Sequence, residues 1–158
     1  MAIVLCRVDD RLLHGQVVLG WGQPLGIDQI ILVDDQVSAS EWEQDLYRMS
    51  VTPNIEVRFV SVADATAHLA EWQGNGRRGL LLTGDVETMA ALHAADPVTV
   101  HHINLGGIHH RAGRRERLPY LYLTDEELGS LEALEAKGAD ITAQDLPTTP
   151  PVSLRALA

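Results

Sequence analysis

The chain has 158 residues, 46% hydrophobic and 22% charged, which suits one compact soluble domain with a sizeable core. Its net charge of −10 argues against a nucleic-acid-binding protein, and its single cysteine excludes an internal disulfide. No apolar run is long enough to span a bilayer. Residues 2–6 are apolar, but Arg7 ends the run too early for a signal peptide, so we expect a first strand and a cytoplasmic protein.

Short apolar runs rich in β-branched residues alternate with helical patterns along the chain. The predicted strands are residues 2–8, 28–33, 55–60, 79–83 and 98–103, with weaker candidates near the sheet edges at 118–123 and 139–143. The predicted helices are residues 15–22, 38–49, 61–72, 86–94 and 124–137. This alternation predicts an α/β protein with a single open, mostly parallel sheet and helices on both faces.

Capping signals mark several of these helices. Ser38 with Glu41 fits a capping box, as does Thr124 at the start of T-D-E-E, and Asp85 fits an N-cap. We assign residues 1–147 to one domain. Its proline-containing tail, residues 148–158, is expected to be a loosely held terminus without regular structure.

Ionisable residues crowd the end of the first predicted strand, in the stretch R7-V-D-D-R-L-L-H-G-Q-V17. In open α/β sheets, ligands bind at the carboxyl ends of the strands. The helix predicted to follow would point its amide N–H groups, starting near Gly15 and Gln16, back at this loop. These donors and the helix dipole favour a phosphate or a carboxylate, and Gly15 leaves room for close approach.

His14 suits this site as a nucleophile, because a neutral imidazole nitrogen attacks phosphorus readily. Arg11 can hold phosphoryl oxygens bidentately, and Asp9 and Asp10 could orient the imidazole or fix Arg11. We place His14, Arg11 and Asp10 in the catalytic group and Asp9 in a supporting role. The residues alone leave open a simpler reading, a turn with surface ion pairs and a structural histidine.

Histidines and glycines elsewhere offer further candidates. Gly106 and Gly107 could form a tight turn whose N–H groups bind an anion, and His109 could line the phosphate loop opposite His14. A turn required only by chain geometry and a surface histidine are the alternatives. A metal site shared by the pairs at 101–102 and 109–110 is disfavoured, because adjacent strand residues point to opposite faces and no cysteine joins them.

Charged residues also follow the second strand and the Gly-Gly pair. Asp34 and Asp35 would face the crevice if the second strand lies beside the first, pairing with Arg7 or Arg11 or contacting a partner. A basic cluster could recognise an anion or an acidic partner, or be a solvated loop; it consists of Arg111, Arg114, Arg115 and Arg117.

The stretch R7–V17 closely resembles the signature of the IIB component of the mannose/fructose/sorbose class of bacterial sugar phosphotransferase systems. Similar segments recur along the chain: Trp21, I-I-L-V-D-D-Q-V at 30–37, I-N-L-G-G-I-H at 103–109 and L-Y-L-T-D-E-E-L at 121–128. The resemblance covers roughly residues 2–147. It departs after the Gly-Gly loop, where arginines stand in place of the lysines common in the family.

The resemblance implies a phosphocarrier. His14 would accept a phosphoryl group, on Nδ1, from a phosphohistidine of the IIA partner and pass it to a sugar held by the membrane IIC and IID partners. No metal or organic cofactor is expected. The protein would be cytoplasmic, associated peripherally with the inner face of the membrane through its partners, and a homodimer is possible. The alternative is a regulatory or interaction module that signals its phosphorylation state without sugar transport.

Overall fold

The computed structural model describes residues 3–73 and 76–158. Its strands are β1 (Ile3–Val8), β2 (Gln29–Val33), β3 (Glu56–Val60), β4 (Gly79–Thr83), β5 (His102–Leu105), β6 (Arg115–Leu118), β7 (Leu121–Leu123), β8 (Asp140–Ala143) and β9 (Val152–Ser153). Its helices are a π-helix (Gln16–Gly22), α1 (Asp35–Ser38), α2 (Glu41–Arg48), α3 (Val62–Gln73), α4 (Val86–Ala95), α5 (Asp125–Ala136) and a 3₁₀ helix (Leu154–Leu157).

Seven strands form one sheet in the order β3-β2-β4-β1-β5-β8-β9, parallel except for the last pair. This confirms the predicted α/β class with an open, mostly parallel sheet. β1 lies in the middle, and its Arg7 is paired with Leu82 on β4 and Asn104 on β5. The chain leaves β1 towards β2 on one side, whereas it leaves β4 across β1 towards β5. The direction of the connections therefore reverses between β1 and β4, where such sheets bind ligands.

Helices cover both faces of the sheet, as predicted, and each face has its own apolar core. The π-helix and α1 bury Val17 and Val37 on one face. Helices α3, α4 and α5 bury Leu69, Met89 and Leu131 on the other. Each such side chain contributes about 1.5–3 kcal/mol when fully buried. Among the described helices, none combines the length and apolar character needed to cross a membrane.

Helix ends follow two of the predicted signals. The Thr124 hydroxyl accepts from Glu127 N, and the Glu127 carboxylate accepts from Thr124 N, both at 2.9 Å, which confirms the capping box of α5. Asp85 Oδ1 accepts from Thr88 N at 2.7 Å and caps α4. Gly138 follows α5 with a φ of +104°, a conformation that glycine adopts without strain.

The predicted capping box at Ser38 and Glu41 is wrong. The segment 38–49 is not one helix, because α1 ends at Ser38 and a short turn separates it from α2. The actual N-cap of α2 is Ser40, whose hydroxyl accepts from Glu43 N at 3.3 Å. Ser38 and Ser40 each stand three residues before a glutamate, so the sequence pattern alone did not show which serine caps the helix.

Two strand predictions also need correction. Residues 118–123 do not join the main sheet; β6 and β7 form a separate antiparallel pair before α5. The strand predicted at 98–103 begins only at His102, and Val98 is 82% exposed in the turn before it. Val98 therefore extends the apolar sequence pattern of this strand, although its side chain is not packed against the sheet.

The tail is not the loose terminus that its prolines suggested. Val152–Ser153 pairs antiparallel with β8, and the 3₁₀ helix follows directly. Leu154 and Leu157 are each 2% exposed and belong to the core beside α5. The prolines lie before this pairing, where they restrict the loop without blocking it.

The only cysteine lies in the central strand β1, where burial makes its thiol unreactive. Cys6 is 2% exposed, as expected from its apolar surroundings in sequence. Burial raises the pKa of its thiol to about 12, so the thiolate is absent at neutral pH.

We expect Leu157→Ala to lower the free energy of unfolding by about 2–4 kcal/mol, because it leaves a cavity in the core beside α5. The matched control Leu46→Ala, at a side chain that is 49% exposed, should change it by less than about 0.5 kcal/mol. Urea unfolding followed by tryptophan fluorescence measures both. Equal stabilities would mean that the tail is not packed in solution.

Candidate active site

The loop after β1 is tied to both neighbouring strands before it reaches His14. Asp9 N donates to Thr83 O at the end of β4 at 2.9 Å, and Asp10 N donates to Gly107 O after β5 at 2.8 Å. These bonds hold the loop across the reversal point between β1 and β4. The sequence prediction that the ionisable stretch lies at the carboxyl edge of the sheet is confirmed.

Leu12 turns this loop through a left-handed backbone conformation, with a φ of +58°. Such a conformation costs a non-glycine residue roughly 1–2 kcal/mol. The turn is held because Leu12 N donates to Asp9 O at 3.0 Å and the side chain packs beside Gly84, where a Cβ would lie 3.2 Å from Leu12 Cδ2. The reversal brings His14 back over Asp9.

Asp9, rather than Asp10, is the carboxylate at the centre of the site. Its Oδ1 accepts from Arg11 N and Nε, both at 3.2 Å, and lies 3.4 Å from His14 Nε2. Its Oδ2 accepts from Arg11 Nη2 at 3.2 Å, and from Gly107 N and Arg7 Nη2 at 3.3 Å. One fully buried carboxylate thus positions the imidazole and both guanidinium groups.

Arg7 forms a buried layer beneath Asp9 that the sequence analysis missed. It is fully buried and donates to Asn104 Oδ1, to Gln144 O at 3.0 Å and to Asp145 O at 3.3 Å. Its Cζ lies 4.7 Å from the ring centroid of Trp21, whose Nε1 donates to Asp145 O at 3.1 Å. An arginine inside an apolar strand was the available signal, because a buried cation requires surrounding acceptors.

The charges of this layer fix the ionisation of Asp9. Burial on its own raises the pKa of Asp9, but hydrogen bonds from His14 and Arg11 and the charges of Arg7 and Arg11 outweigh it, so that the pKa lies well below its usual range. Burial lowers the pKa of Arg7, and Asp9 opposes that change. Asp9 is therefore a permanent negative charge beside His14 at neutral pH.

Gly106 and Gly107 serve close approach rather than anion binding. A Cβ on Gly106 would lie 2.3 Å from Arg7 Nη2, and one on Gly107 would lie 3.2 Å from Arg11 Nε. Gly106 N donates to a backbone oxygen of β1 at 2.8 Å, and Gly107 N donates to Asp9 Oδ2. This corrects the predicted phosphate-binding role, because both amide donors are already used within the protein.

His14 lies at the boundary between this buried network and solvent. Its side chain is 20% exposed, whereas Nε2 itself is buried. The predicted helix follows at once, but it is a π-helix that begins at Gln16 and has no side-chain cap. A Cβ on Gly15 would meet no atom within 4 Å, so the space beside this residue is open. The side chain of Gln16 lies outside the described part of the structure.

Asp10 contacts His109, which corrects its predicted place in the catalytic group with His14. Asp10 Oδ1 lies 2.6 Å from His109 Nδ1, and Oδ2 accepts from His109 N at 2.7 Å. The His109 side chain is 66% exposed. Asp9 is fully buried and faces the Arg7 layer, whereas Asp10 lines the crevice.

Asp34 and Asp35 do not lie beside the first strand, because β4 separates β2 from β1. Asp34 Oδ1 caps α1 by accepting from Val37 N at 2.9 Å, and Asp35 Oδ1 accepts from Val62 N at 2.9 Å. Asp34 still reaches the crevice next to the site. This cavity of about 150 Å³ is lined by Asp10, Leu12, Asp34, Gly84, Asp85, Arg111 and Arg114.

Most arginines of the basic cluster form ion pairs within the protein. Arg114 forms a 2.9 Å ion pair with a carboxylate of α5, and Arg115 and Arg117 pair with Asp125 at 2.8 and 3.1 Å. The Arg117 side chain is only 4% exposed. Arg111 is exposed and lines the cavity, and no ion pair holds it among the residues that the structure describes. The cluster is therefore chiefly structural.

The histidine pairs do not converge. His102 Nδ1 lies 3.0 Å from Asp140 Oδ2, whereas His109 is bound to Asp10. Across residues 3–73 and 76–158, no group of three or more histidine, cysteine or carboxylate side chains is placed to hold a metal ion.

Comparisons with known proteins extend over nearly the whole chain. Residues 3–157 match the family described as the PTS system sorbose subfamily IIB component. The fructose-specific EIIB component of Bacillus subtilis (strain 168) is 30% identical over 94% of this chain and 90% of that protein. The mannose-specific EIIAB component of Escherichia coli (strain K12) is 27% identical over 98% of this chain and 47% of that protein. The IIBSor domain of the sorbose permease from Klebsiella pneumoniae superposes with a TM-score of 0.90 at 25% identity, covering 99% of this chain and 96% of that one.

Gly106→Ala should lower the free energy of unfolding by about 1–3 kcal/mol, because its Cβ would overlap the buried Arg7 guanidinium. Gly129→Ala is the matched control, since a Cβ there meets nothing within 4 Å and alanine favours helix α5. Urea unfolding of both variants measures the difference. If the two variants were equally stable, the close packing of Gly106 on Arg7 would be refuted.

Asp9 predicts a specific loss of stability in acid. Because folding lowers its pKa, its contribution is complete above the pKa of an unfolded aspartate, about 3.9, and is lost as the pH falls through the folded pKa. We expect the free energy of unfolding of Asp9→Asn to depend less steeply on pH than that of the wild type below about pH 4. Asp45→Asn, at a carboxylate whose side chain is 77% exposed, should keep the wild-type slope. Parallel curves for wild type and Asp9→Asn in urea unfolding would contradict the assignment.

Proposed function

Because the chain belongs to the sorbose subfamily of PTS IIB components, we propose that it is a phosphocarrier and that His14 holds the phosphoryl group. Family membership gives it a role in sugar phosphotransfer by a phosphotransferase system. The residue, the donor and the acceptor are our proposals, and the geometry of the loop after β1 supports them.

The observation that carries the proposal is the shared carboxylate of Asp9. Its Oδ1 lies 3.4 Å from His14 Nε2 and 3.2 Å from Arg11 Nε. A single buried anion therefore fixes the orientation of the imidazole and places a guanidinium next to it. Phosphoryl transfer needs this kind of positioning and charge neutralisation more than it needs covalent chemistry from the protein.

The same contact favours Nδ1 of His14 as the phosphorylated atom. Nε2 is buried and faces Asp9, so a phosphoryl group on that atom would meet a carboxylate with a lowered pKa. When Nε2 carries a proton, Asp9 stabilises that proton, and the lone pair on Nδ1 is the nucleophile. Arg11, whose side chain is 35% exposed, is placed to neutralise phosphoryl oxygens that arrive from solvent.

The transfer then consists of two successive displacements at phosphorus. In the first, His14 Nδ1 attacks phosphorus, the N–P bond in the donor phosphohistidine breaks, and the donor imidazole keeps the electron pair. In the second, a sugar hydroxyl oxygen attacks phosphorus, the Nδ1–P bond breaks, and the hydroxyl proton leaves to a base or to water. His14 returns to its starting state, because the proton stays on its Nε2, facing the Asp9 carboxylate, throughout.

The donor in this proposal is a IIA phosphohistidine protein, and the sugar is held by membrane IIC and IID components. One relative, the mannose-specific EIIAB component, joins A and B in its name, and this chain matches 47% of its length. We place the protein in the cytoplasm, reaching the inner face of the membrane through these partners. No metal or organic cofactor takes part in either displacement.

The direct test is phosphorylation by a purified, phosphorylated IIA donor. Wild-type protein should acquire an acid-labile phosphate, and phosphorus NMR should identify the Nδ1 isomer of phosphohistidine. His14→Gln should abolish the label, because glutamine cannot form the N–P bond. His109→Gln is the matched control, since this imidazole is exposed and bound to Asp10, and it should retain the label. A label that survives His14→Gln, or one on Nε2, would contradict the assignment of the nucleophile.

A further inference from the structure

Helix α2 exposes a row of large apolar side chains, which we call the α2 stripe: Trp42, Leu46 and Met49. They recur at intervals of four and three residues, so they share one face of the helix and its C-terminal cap. Their side chains are 71%, 49% and 83% exposed. Single exposed apolar residues are ordinary, but three on one helix face, including a tryptophan, indicate a surface that a partner covers.

The fold does not need the α2 stripe, because α2 is attached through its opposite face. Tyr47 packs towards Phe59 of β3 with ring centroids 6.5 Å apart. Gln44 Nε2 donates to Val37 O at 3.0 Å, which ties α2 to the end of α1. None of the eight residues of α2 is fully buried, and the helix exposes its most apolar side chains to solvent.

The chain segment that carries the α2 stripe is strongly acidic. Residues 34–49 contain one basic residue, Arg48, and five acidic residues: Asp34, Asp35, Glu41, Glu43 and Asp45. Arg48 is already paired with Asp45 at 3.2 Å, which leaves the segment with unbalanced negative charge. A protein that covers this surface must therefore be apolar at its centre and basic around it.

We propose that the α2 stripe docks the protein onto the cytoplasmic loops of its membrane-embedded sugar carrier, an inference that rests on the proposed function. Cytoplasmic loops of membrane proteins are enriched in lysine and arginine, which complements the carboxylates around the stripe. An apolar centre with a complementary charged rim is the usual anatomy of a protein interface. The proposed surface is separate from the loop that carries His14.

Helix α2 lies on the same face of the sheet as the π-helix after His14, because Tyr47 packs against the core that contains Val17 and Val18. The segment that carries the α2 stripe begins at Asp34, which lines the cavity beside Asp10 at the carboxyl edge of the sheet. A second copy of this chain does not fit, because pairing two such surfaces would bring their carboxylates together.

Charged substitutions in the α2 stripe test whether the stripe is the docking surface and whether the partner's charge is positive. Met49→Lys should raise the protein concentration needed for half-maximal sugar phosphorylation by carrier-containing membrane vesicles by about tenfold. Met49→Glu should raise it less, because the added charge is attracted by a basic partner, and the difference should shrink at high salt. Val98→Lys and Val98→Glu are matched controls at an 82% exposed residue on the amino-terminal side of the sheet, and both should behave as wild type.

Two further readouts separate this inference from the proposed function. The rate at which the IIA donor labels His14 should be unchanged in both Met49 variants, and sedimentation with vesicles, measured without phosphate donor, should be weakened in Met49→Lys. Equal slowing of donor labelling would make the α2 stripe the donor's surface and overturn the proposal. Unchanged vesicle binding and sugar transfer would also overturn it. Wild-type binding through the stripe without any label on His14 would refute the phosphocarrier function and leave the docking surface supported.

Discussion

The buried ion pair between Arg7 and Asp9 is the interaction on which the site depends. Burying two charges costs several kcal/mol per ion, so the pair persists because both terminal nitrogens of Arg7 and both oxygens of Asp9 have fixed partners. Arg7 finds them in Asn104 and in the backbone oxygens of Gln144 and Asp145. Asp9 then presents its remaining oxygen positions to Arg11 and His14, outside the core. The buried cation thus orients, through one carboxylate, the groups that we propose to act in phosphoryl transfer.

The contacts of Asp9 explain why an unfavourable backbone conformation occurs in the loop after β1. Leu12 adopts a left-handed conformation because the loop must turn sharply between Asp9 and His14. Gly84 and Gly106 supply the space for that turn and for the Arg7 guanidinium. The energetic cost of the loop is offset by two apolar cores, one on each face of the sheet. Among the residues that the structure describes, Leu12 is the one non-glycine residue with a positive φ, and it lies at the carboxyl edge, where the chemistry is proposed.

Sequence patterns predicted most strands, the capping box at Thr124 and the position of the ionisable loop, because these depend on local periodicity and local hydrogen bonds. They grouped Asp10 with His14 and Arg11 and gave Asp9 a supporting role, whereas Asp9 makes the contacts with both, since which of two adjacent carboxylates faces inward depends on the turn at Leu12. They also missed the packing of Leu157, because burial of a short terminal segment depends on contacts with distant residues. The Arg7 layer was overlooked for the same reason, as its acceptors come from the far end of the chain.

The contacts of Arg7 also set the order in which the protein can be completed during synthesis. Arg7 is bonded to the carbonyl oxygen of Asp145, 138 residues later in the chain. The loop of His14 leaves the ribosome early, but its buried support exists only after β8 and the following segment have been made and have joined the sheet. An incomplete chain therefore carries His14 without the buried framework that orients it.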